Sequence, residues 1–80
     1  YFQNSVIDAE AKALIYNAIE SLPEQERTVF ELSFMEGLKN VEIAKLLKLS
    51  DSSIKKYKAS ALQLLRKKLR PDLFLMLLGL

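Results

Sequence analysis

Asn40-Val41-Glu42-Ile43-Ala44-Lys45-Leu46-Leu47-Lys48-Leu49-Ser50-Asp51-Ser52-Ser53-Ile54-Lys55-Lys56 holds two helical patterns with almost nothing between them. In the first, from about Asn40 to Leu47, residues Ile43, Ala44 and Leu47 fall on one face at helical spacing. The second starts at Ser50-Asp51, a hydroxyl suited to capping followed by an acid. It runs to about Leu69, and Pro71 breaks it because proline lacks the amide that a helix interior needs. On this second helix Ile54 and Ala61 are seven apart and Leu65 follows four later, so one stripe faces a core. Only Lys48-Leu49-Ser50 separates Val41–Leu47 from Ser52–Leu69. So short a connection forces a sharp crossing, with Leu49 plugging the corner, and the result is a helix-turn-helix arrangement.

The face opposite Ile54, Ala61 and Leu65 begins with Ser52, Ser53, Lys55 and Lys56. At a helix N-terminus the backbone amides and the dipole favour phosphate, and serine hydroxyls bond phosphate or base edges. Lysines there add the salt-dependent attraction on which DNA binders rely. The pattern predicts that the second helix enters a major groove with its leading turn. Lys39 or Lys45, together with Arg66, Lys67, Lys68 and Arg70, then grip phosphates. A solvated lysine-rich helix has the same composition; the tight turn in front of this one favours the DNA reading.

Charge is divided along the chain in the same sense. Residues 1–37 carry two basic and seven acidic side chains, whereas residues 38–70 carry ten basic and two acidic ones, although the whole chain is only +2. Such a split points to a polyanionic partner for the second half.

Working outward toward the N-terminus, Ala11, Leu14, Ile15, Ala18 and Ile19 give a first helix from about Asp8 to Glu20, with these residues inward. Ser21-Leu22-Pro23-Glu24 reads as a stop and restart, with Ser21 capping, Pro23 in the first turn and Glu24 as the capping-box partner. The next helix carries Val29, Phe30, Leu32, Ser33 and Phe34 and ends at Gly37, a natural left-handed terminus. Beyond Pro71 the apolar tail Asp72 to Leu80 forms one more short helix that folds back onto the first, or else joins two chains as a homodimer or docks on a partner. The run Leu73 to Leu78 is too short to cross a bilayer, so no membrane role is expected. Tyr1-Phe2-Gln3 resembles the remnant of a protease-cleavage tag, and residues 1–5 are set aside as tag or disorder. That leaves one helix-turn-helix domain over residues 6–70 and a tail over 71–80.

Eighty residues allow a single small domain. The chain has no Cys and no His, which removes disulfides, thiolate nucleophiles, the usual zinc ligands and the commonest general acid–base. No glycine-rich phosphate loop is present, and Ser33, Lys45, Ser52 and Ser53 show no spacing that activates a hydroxyl. Glu24, Glu26 and Glu31 suit a first turn and a solvated face. No catalysis, cofactor or metal is expected.

Taken in order, Leu22-Pro23-Glu24-Gln25-Glu26-Arg27, Val29-Phe30-Glu31-Leu32, Glu36-Gly37-Leu38, Glu42-Ile43-Ala44-Lys45-Leu46-Leu47, Leu49-Ser50 and Ile54-Lys55-Lys56 resemble region 4 of extracytoplasmic-function (ECF) sigma factors, over roughly residues 8–70. The resemblance implies an all-α bundle of four to five helices containing a helix-turn-helix of the sigma region 4 type, winged-helix-like but without a wing. It further implies reading of the promoter −35 element in transcription initiation, docking on the β-flap of the RNA polymerase core, masking by an anti-sigma factor and a bacterial cytoplasmic location. Positions matching the family's DNA face are Ser52, Ser53, Lys55, Lys56, Ala59 and Ser60. Three residues depart from the family pattern: Lys48 stands where Gly is usual at the turn, Lys58 where an apolar residue is usual, and Ser60 where Arg is frequent. Two other readings compete. The output domain of LuxR/NarL-type regulators shares the motif around residues 37–44 and binds a palindromic operator as a dimer. A mainly protein-interacting helical module would use the acidic first half and the apolar tail.

Overall fold

The computed structural model describes residues 9–78, and among these every regular element is helical. Helix α1 spans Ala9–Glu20, α2 Glu24–Phe30, α3 Asn40–Leu47, α4 Asp51–Lys68 and α5 Pro71–Leu77; α2 runs on into a π-helical segment, Glu31–Met35. The expected start at Asp8 and the stretch set aside at residues 1–5 lie outside the described residues, as does the end of the tail at 79–80.

Two apolar clusters hold the helices together, and α2 supplies both from adjacent residues. Phe30 joins Ile15, Ala18, Ile19 and Leu22 of the N-terminal part, Ala61, Leu65 and Leu69 of the α4 end, and Leu73 of α5. Val29 joins Ile43 of α3 and Ile54 of α4, with Leu32, Leu38, Ala44, Leu47, Leu49 and Tyr57 packed around them. The first cluster fastens the long helix to the rest of the bundle, and the second builds the corner. Burying a large apolar side chain contributes about 1.5–3 kcal/mol, so these few residues dominate the stability of so short a chain. Leu73 is buried on the first cluster and Phe74, Met76 and Leu77 pack partly against it, so α5 folds back toward α1.

Two local expectations need correction. Ser21 does not cap α2: the N-cap is Pro23, with no side-chain cap bond, and the Ser21 hydroxyl donates to the Ala18 carbonyl at 2.7 Å. It closes the end of α1 instead, on a carbonyl that also accepts the Ser21 amide at 3.3 Å. Leu14, expected inward, is 46% exposed, because the buried stripe of α1 runs through Ile15, Ala18 and Ile19 and Leu14 stands at its edge.

The turns obey backbone sterics. Gly37 has φ +76° after the π-helical segment, the left-handed terminus expected of it. Lys48 ends α3 at φ 58°, ψ 45°, in the left-handed region where a Cβ costs roughly 1–2 kcal/mol. The amides of Lys48 and Leu49 both close on the Ala44 carbonyl, the latter at 3.0 Å, and this fixes the reversal. Lys48→Gly should therefore raise stability by about 0.5–1 kcal/mol, part of the relieved strain being offset by the entropy glycine gains when unfolded. Thermal melts check this; a midpoint that stays put or falls would show that the lysine bears no strain.

Candidate nucleic-acid interface

The corner is made by α3, the reversal at Lys48 and the N-terminus of α4. Leu49 is half-buried in the cluster of Val29, Ile43 and Ile54, so the turn is plugged by its own side chain. Ser50 then caps α4: its backbone is extended, its Oγ accepts from the Ser53 amide at 3.1 Å, and its carbonyl accepts from the Ile54 amide at 3.1 Å. A serine cap of this kind contributes about 1 kcal/mol and sets where the first helical turn begins. The hydroxyls of Ser52 and Ser53 lie 3.3 and 2.9 Å from the Ser50 Oγ.

Ile54, Ala61 and Leu65 are fully buried, which determines what α4 turns outward. Ser52, Lys55, Lys56, Ala59, Gln63, Arg66 and Lys67 are all exposed and recur at spacings of three and four, so they share the opposite face along the length of the helix. At 1.5 Å per residue this stripe covers about 22 Å. It is cationic at both ends and small or neutral in the middle, at Ala59 and Gln63. Lys55 forms an exposed ion pair with Asp51 at 3.4 Å. Such a pair is worth at most about 1 kcal/mol, so a phosphate can displace the carboxylate at little cost.

A model of the family described as sigma-70, region 4, matches residues 12–65, which include the corner and most of α4. The chain belongs to the sigma-70 region 4 family. Neither the curated proteins nor the solved structures yield a match. A sigma-70 region 4 domain is a non-enzymatic helix-turn-helix module that binds −35 promoter DNA and the RNA polymerase core.

Within this region 4 domain the residues singled out from sequence are not all brought together. Ser52, Lys55, Lys56 and Ala59 lie on the outer stripe. Ser53 is half-buried at the edge of the capping turn. Ser60 is half-buried and turned toward α2, where its hydroxyl donates to Glu26 Oε2 at 3.2 Å. Lys39 is exposed at the N-cap of α3, and its amide donates to Glu42 Oε1 at 2.7 Å. A lysine side chain has no acceptor with which to return that bond, so its ammonium remains on the surface. Lys45 is exposed near the end of α3. Gln63 was not foreseen, and Arg66 and Lys67 were expected to grip phosphates but were not placed on the face shared with Lys56 and Ala59. The spacing from Lys56 and Ala59 carried the signal for all three.

A second surface feature lies away from this stripe. A groove of about 310 Å³ is lined by Lys12, Ile15, Tyr16 and Ile19 of α1, Phe30, Phe34 and Met35 of the α2 run, and Leu77 of α5. Tyr16 and Met35 are about half exposed and Phe34 is 39% exposed, so its wall is apolar and open. Among the described residues no helix is long and apolar enough to cross a membrane, and no cluster of acidic side chains could hold a metal ion.

Proposed function

We propose that this domain reads the −35 element as the C-terminal domain of an ECF-type sigma factor. The observation that carries the reading is the outward stripe of α4, which starts at a capped N-terminus directly behind a tight corner. The leading turn, with Ser52, Lys55 and Lys56, meets base edges and flanking phosphates. Arg66 and Lys67 reach backbone farther along the duplex, while Lys39 and Lys45 brace the other side of the corner. The ECF assignment rests on the run of motifs from Leu22-Pro23-Glu24 to Ile54-Lys55-Lys56. The β-flap of the polymerase core, and an anti-sigma factor that competes with it, fit the apolar groove between α1, the π-helical segment and α5, which lies clear of the DNA-facing stripe. Such a domain works in the bacterial cytoplasm. A homodimer through residues 73–80 is less well supported than the monomer, since Leu73 is already buried within its own chain.

The test is recovery of core RNA polymerase from the host with the full-length parent protein, followed by footprinting of the recovered complex on genomic promoter fragments. Core enzyme should be recovered and protection should reach the −35 position. Polymerase avidity supplies most of the binding in such a complex, so a weak gel shift with the lone domain at physiological salt does not count against the reading. Recovery of no core enzyme would. Binding of a palindromic site as a dimer without polymerase would transfer the case to a LuxR/NarL-type output domain.

A further inference from the structure

Lys58 occupies a position where α4 faces inward. It lies four residues after Ile54 and three before Ala61, both fully buried, and is itself half-buried. Its stem passes the π-helical segment, its Nζ stands 5.9 Å from the centre of the Phe34 ring, and the ammonium donates to Asn40 Oδ1 at 3.1 Å. Asn40 is the first residue of α3. Phe34 is in turn held by Phe30, stacked at 4.6 Å and 16°. Three elements thus converge on one ammonium. Of the two ion pairs among the described residues, Lys55–Asp51 and Arg70–Asp72, neither includes it.

A partly desolvated cation with a neutral acceptor and no carboxylate is a poor source of net stability, and an apolar side chain in its place would bury more carbon. What the lysine does that leucine cannot is fix a direction. The hydrogen bond ties α4 to the start of α3, and the attraction to the ring ties it to the π-helical segment.

We propose that Lys58 is a positioning residue for DNA reading: its ammonium, held between Asn40 and the Phe34 ring, sets the angle at which α4 leaves the corner. This rests on the DNA-reading role proposed above. Ser52 lies six residues ahead of Lys58, about 9 Å along the helix axis. A tilt of about 6° at the pin moves the leading turn by roughly 1 Å, more than the ~0.5 Å within which a recognition constellation must be held. Lys58 does not touch DNA in this scheme, since its side chain lies between α4, α3 and the π-helical segment.

The experiment compares Lys58→Met, Asn40→Ala, their double variant and Lys58→Arg, all in the full chain, with melts to confirm folding at the working temperature. One readout needs no DNA: backbone amide NMR shifts. If the pin exists, Lys58→Met moves the amides of residues 39–42 and Asn40→Ala moves those around residue 58. Lys58→Arg restores the wild-type pattern, because a guanidinium can donate to Asn40 and stack on Phe34. Silent amides at the partner element overturn the pin, whatever DNA does. The second readout uses a pool of randomised duplexes at low salt, with the duplexes enriched by the wild type compared against the unselected pool. Lys58→Met and Asn40→Ala should each lose about tenfold in preference for the enriched duplex, the double variant no more than either, and Lys58→Arg little. The salt slope on the unselected pool should not change. A slope that falls by about one unit would make Lys58 a phosphate contact instead. An unchanged preference, or losses that add fully in the double variant, also overturns the proposal. If the wild type enriches no sequence, the DNA-reading role fails and with it the positioning claim, while the amide shifts still decide whether the pin itself exists.

Discussion

Phe30→Ala is expected to lower the free energy of unfolding by about 3–5 kcal/mol, the usual cost of emptying a fully buried aromatic site. Phe30 has no exposed surface and belongs to the cluster that joins α1, α4 and α5. It also stacks on Phe34 at 4.6 Å, so the substitution removes an aromatic pair as well as volume. Small domains have roughly 5–15 kcal/mol in total, and one of this size stands toward the lower end. The variant should therefore be largely unfolded near physiological temperature, with the urea midpoint shifted far down and the slope of the transition little changed. Phe30→Leu should lose clearly less than the alanine variant, since it keeps much of the buried apolar volume and forfeits the stacking on Phe34. A loss below about 1 kcal/mol for the alanine variant would mean that the core closes over the gap and that Phe30 does not hold α1, α4 and α5 together.

The second large effect is on DNA. Removing both ammonium groups at the head of α4, as Lys55→Ala with Lys56→Ala, should flatten the dependence of affinity on salt by about 0.9 log–log units per lost phosphate contact, close to two units for the pair. The contrast with wild type should be greatest at low salt, where counterion release is most favourable. Both side chains are exposed, and the ion pair of Lys55 with Asp51 is a surface pair, so stability should stay within about 0.5 kcal/mol. That separation between folding and binding makes the measurement informative. A slope that does not move would show that neither lysine touches backbone, and the leading turn would then lie elsewhere than in the groove.

Much of this was legible in the residue order because local rules acted alone. The short connection Lys48-Leu49-Ser50 dictates a corner, Pro71 dictates a break, and Gly37 accepts a left-handed turn, each from covalent geometry. The stripe of Ile54, Ala61 and Leu65 follows from a period of 3.6, and all three are fully buried. Local reading failed where two partners competed for one group. Ser21 had the composition of a cap for α2, but the Ala18 carbonyl three residues back was an equally available partner and took its hydroxyl. Leu14 is as apolar as Ile15, and only the direction from which α4 and α5 approach decides which of the two is covered.

The candidate site divides along the same line. Ser52, Lys55 and Lys56 could be placed on an outer face from periodicity, since a helix presents whatever its buried stripe does not. Ser60 could not. Its spacing suits the outer face nearly as well, and Glu26, thirty-four residues earlier in the chain, draws its hydroxyl toward α2. Lys58 was visible as a departure from the family pattern, a lysine where an apolar residue is usual, but Asn40 and Phe34 lie eighteen and twenty-four residues away, beyond the reach of any local rule.

The order of residues by itself determined that residues 9–78 are helical, that the chain breaks near Gly37, at Lys48-Leu49-Ser50 and at Pro71, and that a tight corner presents a basic helix, because backbone sterics and amphipathic period act over a few neighbouring positions. Only tertiary structure decided which polar side chains stay on the outer face and which are claimed by other helices, because a hydroxyl or an ammonium bonds whichever acceptor packing brings within reach.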